Sequence, residues 1–198
     1  MPPSVSTISS TSHSPGPSSK DSIRSKSWPA SSRRAAFPAD LTHPVFPTLC
    51  AHLNARGVRY LVIGGWAAIA HGLPRTTLDV DLFIDPTTEN VQRLIDALSE
   101  VGFGIARELT AAEILSRKAF LFQDQIKIDI FTQPWRLESF EDAYARRWEA
   151  DFDSTRIPFV SIEDLILTKQ TGREQDEADL KSLRELASRR PGGQSPPK

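Results

Sequence analysis

The chain has 198 residues, with 24 Lys and Arg against 25 Asp and Glu and a formal charge of -1. That balance argues against a basic protein that coats nucleic acid, and 39% hydrophobic residues suit a globular chain with one ordinary core. No run approaches the roughly 18 apolar residues of a membrane span. A single cysteine, Cys50, excludes an internal disulfide framework and a Cys-cluster zinc site.

The composition is uneven along the chain. Residues 1–40 hold thirteen Ser and six Pro and show neither helical nor strand period. So few large apolar side chains cannot offset the entropy of ordering, which predicts a disordered tail over residues 1–39. Organelle transit peptides share this Ser- and Arg-rich, acid-poor character, but the amphipathic helix of such a peptide is missing. A disordered extension, or upstream sequence translated from an early start codon, fits better. Residues 191–198 (PGGQSPPK) read as a second unstructured tail, leaving residues 40–190 as one domain.

Within that domain Pro44 and Pro47 lead into a short predicted helix at 48–56, stopped by Gly57. The β-branched and aromatic run 58–63 (VRYLVI) predicts a strand that ends at Gly64-Gly65. An Ala-rich helix at 66–71 is closed by Gly72 and Pro74, and residues 78–84 (LDVDLFI) predict a second strand. The turn from Asp85 to Thr88 caps a helix at 89–101, where Val91, Leu94, Ile95 and Leu98 repeat at helical spacing. Strands at 119–123 and 126–131 flank Asp124-Gln125 as a hairpin. A helix is predicted at 138–150, with Phe140, Tyr144 and Trp148 on one face, and a short strand at 156–160. Ser161-x-x-Asp164 signals a capped helix to about residue 171, and a last helix spans 174–188. There is no internal repeat. The sum is an α+β or α/β domain, a small mixed sheet packed with helices.

The second strand is the most informative segment. Alternation places Leu78, Val80 and Leu82 on one face and Asp79 and Asp81 on the other. Asp is depleted in strands, and like charges on one face repel, so a cation between them would relieve the cost. Hard carboxylate oxygens suit Mg²⁺, which takes part of its shell from substrate phosphates. The strand 126–131 alternates too, with Lys127 and Asp129 opposite Ile126, Ile128 and Ile130. If the strands are neighbours, three carboxylates share one patch, an arrangement able to hold two metal ions. The bland alternatives are a solvated strand face and a surface pair between Asp129 and Lys127.

Gly64-Gly65 lies between a strand and a helix, where glycine lets backbone N–H groups approach a phosphate. A bare turn is the competing explanation. The phosphate reading implies that Gly65→Val would abolish nucleotide binding with the fold retained. Arg75, with Thr76 and Thr77 ahead of the Asp strand, could hold phosphate oxygens through its guanidinium.

Gly64-Gly65, Asp79-x-Asp81 with apolar residues after it, and a lone Asp129 in a later strand resemble the polymerase-β type of nucleotidyltransferase superfamily. The likeness is nearest to small bacterial members, the minimal nucleotidyltransferases and AbiEii-like toxin proteins, and is carried by GGWAAIAHGLPRTTLDVDLFI and SIEDLILTKQTGREQDEADLKSL. It covers residues 58–186. The resemblance implies Asp79, Asp81 and Asp129 as catalytic metal ligands for two Mg²⁺ ions, with Mn²⁺ as a substitute. It implies nucleotide contacts from Gly64, Gly65, Arg75, Thr76, Lys169 and Arg173, with Asp176 orienting the last two. Ordinary helix-surface salt bridges are the other explanation for Lys169, Arg173 and Asp176. Gly65 and Trp66 stand where many relatives have a phosphate-binding Ser, so backbone N–H groups would do that work.

The implied activity is transfer of an NMP from an NTP to a hydroxyl of a tRNA, a protein or a small molecule by a cytoplasmic enzyme. A cognate partner in a toxin–antitoxin pair belongs to the same expectation. The alternatives are a catalytically silent binding module and an antibiotic nucleotidyltransferase acting on aminoglycosides or lincosamides. His43, His52 and His71 share no metal spacing, and His71 is expected to cap or pack at its helix end, with nucleotide contact as the alternative. Trp66, Trp135 and Trp148 read as packing residues, and Cys50 as a small buried hydrophobe.

Overall fold

The computed structural model describes residues 45–123, 126–152 and 154–189. The expected tails at 1–39 and 191–198, the start of the domain at 40–44 and the hairpin turn at 124–125 lie outside these residues. Among the described residues no helix is long and apolar enough to cross a membrane.

The first helix, α1 (Val45–Ala55), buries Phe46, Leu49, Cys50 and Leu53, one stripe at i, i+3, i+4 and i+7. Strand β1 (Tyr60–Val62) is buried throughout and leads directly into α2 (Gly64–Ala70). Strand β2 (Val80–Ile84) is followed by α3 (Thr88–Glu100), whose Thr87 cap accepts a hydrogen bond from the Asn90 N–H. A 3-10 turn (Gly104–Glu108) and a short helix, α4 (Ala111–Leu115), come next. The chain then forms the hairpin β3 (Ala119–Gln123) and β4 (Lys127–Phe131). Helix α5 (Phe140–Ala145), strands β5 (Trp148–Phe152) and β6 (Thr155–Phe159), and helices α6 (Ile162–Thr168) and α7 (Glu174–Ser188) complete it.

Among the described residues six strands form one mixed sheet in the order β3-β4-β2-β1-β6-β5. Its centre is antiparallel between β1 and β2 and parallel on either side, where β2 meets β4 and β1 meets β6. Helix α1 packs against α3 and β6, α2 against β2 and α6, and α6 against α7. Trp66 of α2 stacks on Phe46 of α1 with ring centroids 4.1 Å apart, and both are fully buried. The expected α+β architecture is therefore the observed one.

Three expectations change. The helix foreseen over 138–150 ends at Ala145, and Trp148–Phe152 turns back as an edge strand paired with β6. Pairing with β6 outweighs the helical spacing of Phe140, Tyr144 and Trp148; Trp148 instead lies against His71 and Phe159. The second strand begins at Val80, so Leu78 lies outside it and is 73% exposed. Helix α4 had no counterpart in the sequence reading, although Thr110 and Glu113 form a complete capping box there. Thr110→Ala should lower stability by about 1 kcal/mol, as read from urea unfolding curves.

Candidate active site

The parallel pairing of β2 with β4 sets Asp81 directly opposite Asp129, with Val80 opposite Ile128 and Leu82 opposite Ile130. Because side chains alternate along each strand, the two carboxylates emerge on the same face while Val80, Leu82, Ile128 and Ile130 fill the core. Asp79 sits just ahead of β2, one pleat before Asp81. The Lys127 ammonium donates to Asp79 Oδ2 at 3.0 Å and to Asp129 Oδ2 at 2.9 Å. The three acids thus line one cleft, as expected of neighbouring strands, and the Lys127 pairing foreseen as the alternative is present as well.

The Asp81 carboxyl is pushed up to about 6, first by burial and then by the like charge of Asp129. The Gly65 N–H and the Lys127 charge pull it back only in part. This explains the glycine pair. Gly64 has φ +61, and a Cβ there would overlap Asp81 Oδ2 and lie 2.6 Å from its Cγ. A Cβ at Gly65 would meet Thr77 Oγ1 at 2.6 Å and Thr77 Cβ at 2.8 Å. The glycines make room for Asp81 and Thr77, and the Gly65 N–H is engaged by Asp81. Gly65→Val would therefore strain the fold itself, in contrast to the retention of fold expected from the sequence.

Across the cleft stands a cationic group. The Lys169 ammonium, at the C-terminus of α6, reaches Asp176 Oδ1 at 3.0 Å and Asp179 Oδ2 at 2.7 Å, and the residue is 7% exposed. Asp179 also receives the Arg75 Nη1, while the Arg75 Nε is buried without a hydrogen-bond partner. Thr171 bonds the second oxygen of Asp176, and Arg173 is exposed at the start of α7. Three cations, Arg75, Lys169 and Arg173, here face two carboxylates. Lys169 and Asp176 form an ion pair, and both line the cleft.

The cleft encloses about 540 Å³ and is lined by Gly64, Gly65, Arg75, Asp79, Asp81, Asp129, Lys169 and Arg173 among others. Of the expected site residues only Thr76 is left out; it is exposed, and Thr77 takes the place on the wall. Sequence reasoning did not name Asp179, although it lies one helical turn beyond Asp176 on the same face of α7. Nor did it place Trp135 here. That ring is 59% exposed on the cleft wall beside Pro134, with its Nε1 donating to the Gln170 carbonyl at 3.0 Å. His71 is buried away from the cleft lining and donates from Nε2 to the Val160 carbonyl at 2.8 Å, the packing role expected of it.

Among the described residues no three His, Cys, Asp or Glu side chains close on one point as a ready metal cage. Asp79 and Asp129 are instead spanned by the Lys127 ammonium. The donor set nevertheless suits a divalent cation. It consists of hard carboxylate oxygens only, it holds one acid whose charge is unfavourable as placed, and it already attracts a cation.

The fold has counterparts among known proteins. A nucleotidyltransferase-like antigenic protein from Paracoccidioides brasiliensis aligns at TM-score 0.52 with 15% identity, covering 78% of each chain, and shares the fold. A lincomycin-bound lincosamide antibiotic adenylyltransferase, LnuA, aligns at TM-score 0.48 with 18% identity over 74% of this chain and 98% of that one. A nucleotidyltransferase of unproven activity from Thermotoga maritima aligns at TM-score 0.44 with 17% identity, covering 74% of this chain and 92% of that one. No curated protein matches the chain. The family model described as nucleotidyl transferase of unknown function (DUF2204) matches residues 46–193. The chain belongs to that family and is a nucleotide-transferring enzyme.

Proposed function

We propose that the cleft binds an NTP together with divalent cations and passes its NMP to an acceptor hydroxyl. The observation that carries this reading is the register of Asp81 against Asp129, with Asp79 on the same wall and a cationic group opposite. Asp79, Asp81 and Asp129 would hold Mg²⁺ or Mn²⁺. When bound, such ions neutralise the triphosphate charge and lower the pKa of a bound hydroxyl.

The other roles belong to the chain's own side chains. Arg75, Lys169 and Arg173 draw the phosphate oxygens to the far wall, Arg75 with a buried Nε still free of a hydrogen-bond partner. Asp129, on the strand nearer the hairpin edge, takes the proton that the acceptor hydroxyl loses as its oxygen attacks the α-phosphorus. The bond to the β-phosphate breaks, and pyrophosphate leaves toward the cations. Trp135 offers a flat apolar face to a ring of the nucleotide or acceptor.

A silent binding module draws support from one observation, the Lys127 ammonium that spans Asp79 and Asp129. Incubation with each labelled NTP, Mg²⁺ and an acceptor panel of total tRNA, cell protein, aminoglycosides and lincosamides separates the readings. Label on an acceptor with wild-type protein, and none with Asp81→Asn, is the expected result. NTP binding with no label transferred to any acceptor would favour the silent module. Trp135→Ala should leave stability within about 0.5 kcal/mol of wild type, because the ring is largely in water. It should lower kcat/KM about fivefold through lost stacking; an unchanged kcat/KM removes Trp135 from the site.

A further inference from the structure

Lys127 is placed unlike an ordinary surface lysine. It occupies the first position of β4, one residue before the Ile128–Val80 pair, so its stem runs along the cleft face toward Asp79. Its ammonium bridges two acids that are 50 residues apart in sequence and meet only in the folded sheet. Those are two of the three carboxylates assigned above to divalent cations, and the inference rests on that assignment. An ammonium is a compact charge on a flexible stem, able to change partners without moving the backbone.

We infer that Lys127 is a resident counter-cation that keeps the carboxylate site from taking up free divalent ions, so that these ions enter with the nucleotide. In the metal-free protein the ammonium offsets one of three negative charges and occupies Oδ2 of both Asp79 and Asp129. A divalent ion arriving alone must displace it and leave a cation without a partner beside a second cation. A triphosphate supplies that missing partner, because its oxygens accept from the released ammonium. Ion and nucleotide binding then strengthen one another by the same factor, as linkage requires. Lys127 acts here as a positioning residue, through the two carboxylates it holds.

Mn²⁺ titration followed by electron paramagnetic resonance tests this on the full chain, with and without a non-hydrolysable NTP analogue. Wild-type protein should bind Mn²⁺ weakly alone and tightly with the analogue. Lys127→Met should bind Mn²⁺ alone at least about tenfold more tightly, since a like charge has been removed a few ångströms from the ion. Lys127→Arg, which keeps the charge, should remain weak, and the metal-free melting temperature should fall in the Met variant and recover with Mn²⁺. Lys127→Gln replaces the Met variant if circular dichroism shows that the latter does not fold. Equal Mn²⁺ affinity in wild type and the neutral variants, with tight binding in the presence of the analogue, would overturn the inference and leave the metal site standing. Absence of Mn²⁺ binding in every variant, with or without the analogue, would overturn the metal site and the inference together.

Discussion

Asp81→Asn should make the metal-free protein more heat-stable while lowering transfer by about a thousandfold or more. The carboxyl is buried beside Asp129, and its pKa in the folded chain stands near 6. A folded pKa above the unfolded one means stability present in acid and lost as pH rises through the interval from the ordinary carboxylate range to about 6. At neutral pH wild type has lost that contribution, on the order of 2 kcal/mol. Asn keeps the shape, still accepts from the Gly65 N–H and can donate to Asp129, so it escapes the loss. Thermal unfolding at several pH values should show the two proteins together near pH 4 and separated by about 5 °C above pH 6. The stabilisation that Mg²⁺–NTP confers on wild type should vanish in the variant. Retention of that shift would remove Asp81 from any cation site. The Asp79 side chain is 47% exposed and held by Lys127, so Asp79→Asn should lose turnover and weaken that ion pair without gaining stability.

Gly64→Ala should do the opposite to stability. The φ of +61 disfavours any L side chain by about 1–2 kcal/mol. The new methyl would also overlap Asp81 Oδ2 and lie 2.9 Å from Asp81 Cβ, so the backbone or the carboxylate must move. The combined loss should exceed about 3 kcal/mol in urea unfolding, with transfer lost as Asp81 is displaced. Pairing it with Asp81→Gly removes the overlap and leaves only the backbone strain. A double-mutant cycle should therefore return a coupling above about 1 kcal/mol. Simple additivity would show that the two positions do not crowd each other.

The carboxylates were legible because Asp inside an apolar strand contradicts local preference, and a contradiction of that kind points to a site. The face shared by Asp81 and Asp129 followed from strand alternation, whereas their direct register required the parallel docking of β4 on β2. Nothing local specifies that docking. Helix α7 was legible because Leu180, Leu183 and Leu186 recur at helical spacing within Glu174–Ser188. Strand β5 was not, because Glu149 and Ala150 continue the helical pattern of α5 and only the partner β6 decides between the two states. The glycine pair was located correctly, and the neighbours it makes room for within the fold, Asp81 and Thr77, were not foreseen. A sequence shows that a backbone must come close to something, but the chain's own Asp81 and Thr77 are as good a reason as a phosphate.

Cys50 gives the molecule a built-in clock. It is the sequence's one thiol, fully buried on α1 against the core, and burial pushes its pKa up to about 12. In the closed molecule the reactive thiolate is therefore vanishingly scarce and out of reach of any reagent. Covalent capture by a disulfide-forming dye must wait until α1 lifts from the sheet, so the labelling rate counts openings instead of surface encounters. Without introducing a single probe, that rate ranks every variant described above by how often its native state comes apart at ordinary temperature, long before heat or urea is applied.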